Sequence, residues 1–131
     1  MAGSWDVLIV DDEAVVRDGV SRVLASEGLR VAAAEDGRSA LAHEALGSCR
    51  LVLCDLMLPD MAGLDVLRAL RTRRPGVAVV VITGYATAGH MAQALEAGAT
   101  GFLPKPFDET ELMAAVRHAL GGVGPGEERE S

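Results

Sequence analysis

Short unbroken apolar runs alternate along the chain with longer stretches in which apolar residues recur every third or fourth position. The first kind is strand-like and the second helix-like, because side chains repeat at a period of about 2 on a strand and about 3.6 on a helix. "DVLIV" (6–10) is a candidate first strand, and in the "EAVVRDGVSRVLASEG" that follows, Val16, Val20, Val23 and Leu24 keep helical spacing until Gly28 closes the segment. "RVAAA" (30–34) and "GRSALAHEALG" form a second pair, with Leu41 and Ala45 on one helix face. "LVLCD" (51–55) reads as a strand buried on both faces. The helix after it runs through Leu64, Leu67 and Leu70 to Arg74, since Pro75 disfavours helical geometry in the residue before it. "VAVVVIT" (77–83) is continuous and β-branched, the pattern of a strand covered on both sides. The Ala-rich "ATAGHMAQALEAGA" reads as a helix and "GFLP" as a short strand. "DETELMAAVRHALGG" reads as a helix with Asp108 as N-cap and Glu111 completing a capping box.

Five strand–helix pairs in strict alternation predict an α/β fold with a parallel sheet between layers of helices. The expected architecture is a doubly wound three-layer sandwich of five strand–helix units. The domain is expected to span residues 5–120. The tail, "GGVGPGEERES" (121–131), has no apolar pattern and reads as a flexible end or the start of a linker, and "MAGS" as disordered.

Composition narrows the picture. A chain of 131 residues suffices for one core, and with aromatics at only 3% that core must be aliphatic. A net charge of −7 argues against nonspecific nucleic-acid binding and against binding to acidic membranes. The most basic stretch, "RALRTRRP", carries Arg68, Arg71, Arg73 and Arg74 at a helix end, where cations suit the dipole, and reads as a solvated terminus. Cys49 and Cys54 are expected to be buried reduced thiols. With no secretory leader and no apolar run of membrane-spanning length, the expectation is a soluble, cytoplasmic domain.

In an open parallel sheet, chemistry collects at the carboxyl ends of the strands. The first strand closes on Asp11 and Asp12, with Glu13 next; the third closes on Asp55, the fourth on Thr83 and the fifth on Lys105. Helix capping is an alternative for Asp11 or Asp12. It suits Asp55 less well, because that residue ends a buried run and "LMLP" does not start a helix. Lys105 is the only lysine in the chain. Chance in an Arg-rich composition is one explanation; a need for a compact, mobile ammonium is the other. Crowded carboxylates repel by about 4 kcal/mol per pair at about 4 Å and an effective dielectric of about 20. A hard cation such as Mg²⁺, which takes carboxylate and phosphate oxygens, would relieve this. A metal, a carboxylate nucleophile, a hydroxyl and an ammonium are together what phosphoryl transfer requires.

The elements "VDDE", "LCDLMLPDMAG", "VITGY", "EAGATGFLPKPF" and a final helix, in this order, resemble the receiver domain of bacterial two-component response regulators from about Asp6 to Leu120. The resemblance implies a flavodoxin-like (βα)5 three-layer sandwich with five parallel strands in the order 2-1-3-4-5, and a phosphorylation-activated switch rather than an enzyme with turnover. Asp55 would accept a phosphoryl group from a sensor histidine kinase or phosphotransfer protein. Asp11, Asp12, Asp55 and the backbone carbonyl of Met57 would hold Mg²⁺, while Thr83 and Lys105 would bind the phosphoryl oxygens. Phe102 matches the switch aromatic that follows Thr83, and the Lys105–Pro106 bond matches one that is typically cis. The output would be a changed surface on the fourth helix, fifth strand and fifth helix, read by an effector domain or protein or by a second copy in a phosphorylation-dependent homodimer. No direct contact with nucleic acid or membrane is expected.

Some positions depart from the family's commonest pattern. Phe102 lacks a hydroxyl, and Ala62 stands where Asp is frequent. Met57 and Tyr85, each two positions past a site residue, are bulky and are expected to shield the acyl phosphate and slow its hydrolysis. An aspartate-nucleophile phosphatase of the haloacid dehalogenase kind is the enzyme alternative, but it carries an acid where Met57 stands. A flavodoxin-like flavin binder would need a phosphate-holding loop where "DDEA" would repel phosphate. A receiver-fold docking module that works without phosphorylation would be signalled by loss of an acid, the hydroxyl or the lysine, and all are present. His43, His90 and His118 have no metal spacing and read as exposed. Trp5 is expected at the edge of the sheet opposite the acids.

Overall fold

A computed structural model describes residues 4–84 and 87–121. The expectations for Tyr85, for the tail beyond Gly121 and for the first three residues fall outside that range. In chain order the elements are β1 (Val7–Val10), α1 (Ala14–Ser26), β2 (Val31–Ala34), α2 (Gly37–Ala42), a 3-10 turn (Glu44–Gly47), β3 (Leu51–Asp55), α3 (Gly63–Arg73), β4 (Ala78–Thr83), α4 (Ala88–Glu96), β5 (Gly101–Pro104) and α5 (Glu109–Ala119). The strands are parallel and lie in the order β2-β1-β3-β4-β5. This is the doubly wound sandwich that the alternating pattern predicts.

Alternation along the strands divides the core in two. Leu8, Val10, Val52, Cys54, Val79 and Val81 face one way and pack with Ala40 of α2, Leu67 and Leu70 of α3 and Ala94 of α4. Val7, Ile9, Leu51, Leu53, Val80 and Ile82 face the other way and pack with Val20 and Leu24 of α1 and Leu112, Met113 and Val116 of α5. Burial on both faces is why β1, β3 and β4 read as continuous apolar runs rather than as alternating ones. Both cysteines are buried and free. Burial pushes both thiols above their ordinary range, so they serve as core residues. Trp5 precedes β1, its backbone N–H donating to Ser48 Oγ at 2.9 Å, at the edge opposite the strand ends.

Local signals set the helix boundaries. Gly28 adopts φ +84° just past α1, where its N–H reaches the Ala25 carbonyl. Asp108 and Glu111 form the reciprocal capping box at the start of α5. Two readings of the pattern need correction. "GRSALAHEALG" is not one helix: His43 takes an extended conformation between α2 and the 3-10 turn, and its Nδ1 accepts the Ala45 N–H at 3.0 Å. His43 is therefore a half-buried cap, and His90 is also half-buried; only His118 is exposed. The fourth helix starts at Ala88 because the Thr87 side chain caps it, accepting the His90 N–H.

The arginine-rich end of α3 is also more than a solvated terminus. Arg71 donates to the carbonyls of Gly98, Pro75 and Val77, tying α3 to the α4–β5 turn. Arg74 donates to the carbonyls of Leu46 and Cys49, and Arg73 to that of Leu41. Only Arg68 has the expected surface role, paired with exposed Asp65 at 3.2 Å. Arg71→Ala should therefore cost about 1–3 kcal/mol in urea unfolding, since it orphans several carbonyls. Arg68→Ala should stay within about 0.5 kcal/mol.

Candidate functional site

The strand register gathers the site. Val10 pairs with Cys54, so Asp11 and Asp55 stand side by side at the next step. Asp55 pairs with Ile82, which sets Thr83 one step beyond. Thr83 pairs with Pro104, and its carbonyl accepts the Lys105 N–H at 2.7 Å. β1 sits between β2 and β3, where the winding direction reverses, so the acids border the crevice in which ligands of such sheets bind. A cavity of about 300 Å³ opens there, lined by Asp12, Glu13, Asp55, Met57, Gly84 and Lys105.

Carboxylate oxygens of Asp11, Asp12 and Asp55 all lie within 4.8 Å of one another. Asp11, Asp55 and Thr83 are buried, whereas Asp12 is exposed at the rim. The Lys105 ammonium enters this group. It donates to Asp55 Oδ2 at 2.8 Å and to Glu13 Oε1 at 3.1 Å, and stands 2.8 Å from Asp11 Oδ2. Asp11 Oδ1 accepts the Glu13 N–H, and among the described residues Oδ2 meets only the Lys105 ammonium. Burying a carboxylate is costly even when it is paired. Burial accordingly pushes the Asp11 carboxyl above its usual range, with Asp55 adding to the rise and Lys105 opposing it. Burial works against the charge on Lys105 as well. Its hydrogen-bonded carboxylates outweigh that and raise it well above the ordinary lysine range, so it is a permanent cation.

Three carboxylates thus contact one ammonium, and a fourth, Asp12, stands beside Asp11 and Asp55. Negative charge in excess of one ammonium, with carboxylate oxygens of Asp11, Asp12 and Asp55 inside 4.8 Å, fits a hard divalent cation bound through oxygen.

Supporting contacts hold the site. Asp55 Oδ1 accepts the Met57 N–H at 2.9 Å, fixing the carboxylate's orientation. Met57 itself is 56% exposed at the mouth of the cavity. Phe102 is half-buried and packs against the core cluster shared by α2, α3 and α4. The Lys105–Pro106 bond is cis. Several contributors left no readable mark in the sequence. Gly63 lies so close to the backbone of Asp55 and Leu56 that a Cβ would overlap it, and its N–H bonds the Leu56 carbonyl at 2.9 Å. Asp60 accepts the N–H groups of Gly37 and Arg38, tying the β3–α3 loop to α2; desolvation pushes its carboxyl up, but these bonds together with the Arg38 charge outweigh it and hold it below the usual range. Arg17 donates to the Asp11 carbonyl at 2.8 Å. Such long-range partners have no spacing rule.

Two outcomes follow from this geometry. The raised Asp11 group burdens the fold when ionised: the cost is full above its folded pKa and vanishes below the ordinary value of 3.8. Asp11→Asn should therefore raise the thermal midpoint in metal-free buffer at neutral pH, with the gain shrinking as the pH falls toward that value. Gly63→Ala should cost about 1–3 kcal/mol in urea unfolding, because the added methyl displaces the backbone that carries Asp55.

Comparison with known proteins supplies the family. Residues 7–117 match the family described as response regulator receiver domain. The chain is 39% identical over 118 residues to the probable transcriptional regulatory protein TcrX of Mycobacterium tuberculosis, covering 90% of this chain and 50% of that protein. It is 40% identical over 123 residues to SphR, the alkaline phosphatase synthesis transcriptional regulatory protein of Synechococcus elongatus, covering 87% and 48%. The chain therefore spans about half the length of these curated relatives. Among solved structures, the receiver domain of NtrX from Brucella abortus superposes with a TM-score of 0.83 at 34% identity, covering 89% of this chain and 99% of that one. A CheY-like receiver domain protein from Methanospirillum hungatei gives 0.83 at 31% identity, covering 90% and 94%. No helix among the described residues is long and apolar enough to cross a membrane. With this fold and a regulatory rather than enzymatic kinship, the chain belongs to the family of response regulator receiver domains.

Proposed function

We propose that the chain is a phosphorylation-driven switch in which Asp55 is the phosphoacceptor. The observation that carries this reading is the Lys105 ammonium held 2.8 Å from Asp55 Oδ2 inside a cluster of acids at the switch point of the sheet. One carboxylate is already paired with the cation that would stabilise charge on an incoming phosphoryl group. The donor would be a sensor histidine kinase or a phosphotransfer protein. Asp11, Asp12, Asp55 and the Met57 carbonyl would hold Mg²⁺, which supplies charge neutralisation at the phosphoryl oxygens when bound.

The chain's own residues do the rest. Asp55 attacks phosphorus from a carboxylate that Met57 N–H orients. Lys105 takes a phosphoryl oxygen, and the Thr83 hydroxyl takes another. Movement of Thr83 would free space for Phe102, on the neighbouring strand β5, to turn inward and reshape the α4–β5–α5 surface. Driving such a switch from 1:99 to 99:1 requires about 5.5 kcal/mol of differential interaction, a large share of which phosphoryl contacts can supply. Residues 5–120 would form the switching unit and 121–131 a tail or linker. The names of the curated relatives favour a transcriptional regulator as the effector context, with phosphorylation-dependent pairing of two copies as one output. Exposed Met57, together with Tyr85, would shield the acyl phosphate and lengthen its life.

Incubation with Mg²⁺ and acetyl phosphate should add one phosphoryl mass to the parent chain and none to Asp55→Asn. Equal gain by the variant would refute Asp55. If neither gains mass and a surrogate kinase also fails, the chain is a docking module instead. A small polar residue in place of Met57 should shorten the phosphoryl lifetime several-fold by the same mass assay, and an unchanged lifetime would remove the shielding role.

A further inference from the structure

Among the described residues Lys105 has three carboxylate neighbours, and they differ in kind. Asp11 and Asp55 have side chains that are 0% and 6% exposed, so leaving the ammonium would strand a buried charge. The Glu13 side chain is 57% exposed. Its residue is the N-cap position of α1, yet the side chain makes no capping bond. Its backbone N–H is fixed by Asp11 Oδ1 at 2.8 Å, which anchors the residue at the rim while leaving the carboxylate free to swing outward. Glu13 and Lys105 line the same cavity over Asp55.

We propose that Glu13 is a positioning residue that occupies Lys105 in the resting state and must release it before an anionic phosphoryl donor can be bound. This rests on Asp55 being the phosphoacceptor. An ammonium has three N–H groups, and three acids stand within 3.1 Å of it, one for each. An incoming phosphoryl oxygen needs one of those directions. The exposed Glu13 is the partner that can yield at small cost, because a solvated ion pair is weak and the carboxylate is rehydrated on leaving. Glu13 thereby favours the unphosphorylated form twice over: it holds the lysine, and it adds negative charge beside the path of the donor. In the transfer itself an Asp55 oxygen bonds to phosphorus as the phosphorus–oxygen bond to acetate breaks. Acetate leaves with the bonding pair, and no proton has to move.

Two variants separate the contact from the charge. Glu13→Gln removes the charge; Glu13→Asp keeps it on a stem one methylene shorter that cannot reach the ammonium held by Asp11 and Asp55. With Mg²⁺ and sub-saturating acetyl phosphate, intact mass against time should show both variants phosphorylated roughly two- to five-fold faster than the parent, the size expected of an exposed pair. The gain should lie in the donor concentration for half-maximal rate, with little change in the maximal rate. Thermal midpoints should match that of the parent, which a role in folding would not allow. A parent that takes the phosphoryl group while Glu13→Gln is no faster overturns the Glu13 role and leaves Asp55 standing. Acceleration by Gln with parental behaviour in Asp overturns the lysine contact and leaves a simple field effect. Failure of all three chains to gain mass, with acetyl phosphate and with a surrogate kinase, overturns the Asp55 reading itself and the Glu13 role with it.

Discussion

Repulsion among the carboxylates of Asp11, Asp12 and Asp55 governs the carboxyl edge of this sheet. Their oxygens gather within 4.8 Å, and two of the three residues are buried. In isolation the chain would avoid such an arrangement, since each close pair costs on the order of kilocalories at any reasonable internal dielectric. Lys105 offsets part of the cost and cannot offset all of it, as the raised Asp11 group attests. The core bears the remainder. Two continuous apolar clusters, one on each face, fix the register that forces the acids together. A site assembled against its own electrostatics is ready to bind cations and to respond when its charge changes.

The same reasoning accounts for the division of labour among the strands. β1 and β3 are adjacent and both end in acid, so the cluster needs no loop of special shape. β4 and β5 bring the hydroxyl and the ammonium one and two strands further along, and a backbone bond from Lys105 to Thr83 locks their relative height. Gly63 lets α3 begin directly beneath Asp55, which keeps the backbone of the acid close-packed. On the opposite side Arg71 ties α3 to the turn before β5, so the element bearing Phe102 and Lys105 is held to the one that follows Asp55.

Much of this was legible in the sequence, for identifiable reasons. Strand ends are marked where an apolar run meets a polar residue, so the sequence alone places Asp11, Asp55, Thr83 and Lys105 at one edge. The capping box of α5 was equally plain, because Asp108 and Glu111 obey a fixed local spacing. What stayed hidden was non-local or specific to one bond. Arg71 and Arg74 looked like a solvated helix end, but they bond to carbonyls of segments distant in the chain. His43 broke a helix that its neighbours' periodicity suggested was continuous. Glu13 was visible only as one more acid; its bond to a lysine 92 positions away exists only after the sheet has formed.

Thermal unfolding followed across a magnesium titration tests most directly whether uncompensated negative charge defines this site. A ligand that binds the folded chain alone stabilises it in proportion to the logarithm of its concentration once above its dissociation constant. The midpoint of the parent should climb steadily with Mg²⁺, and Asp11→Asn should begin higher and climb much less. A parent whose midpoint stays flat through millimolar Mg²⁺, or an Asp11→Asn chain that climbs as steeply, would contradict the account.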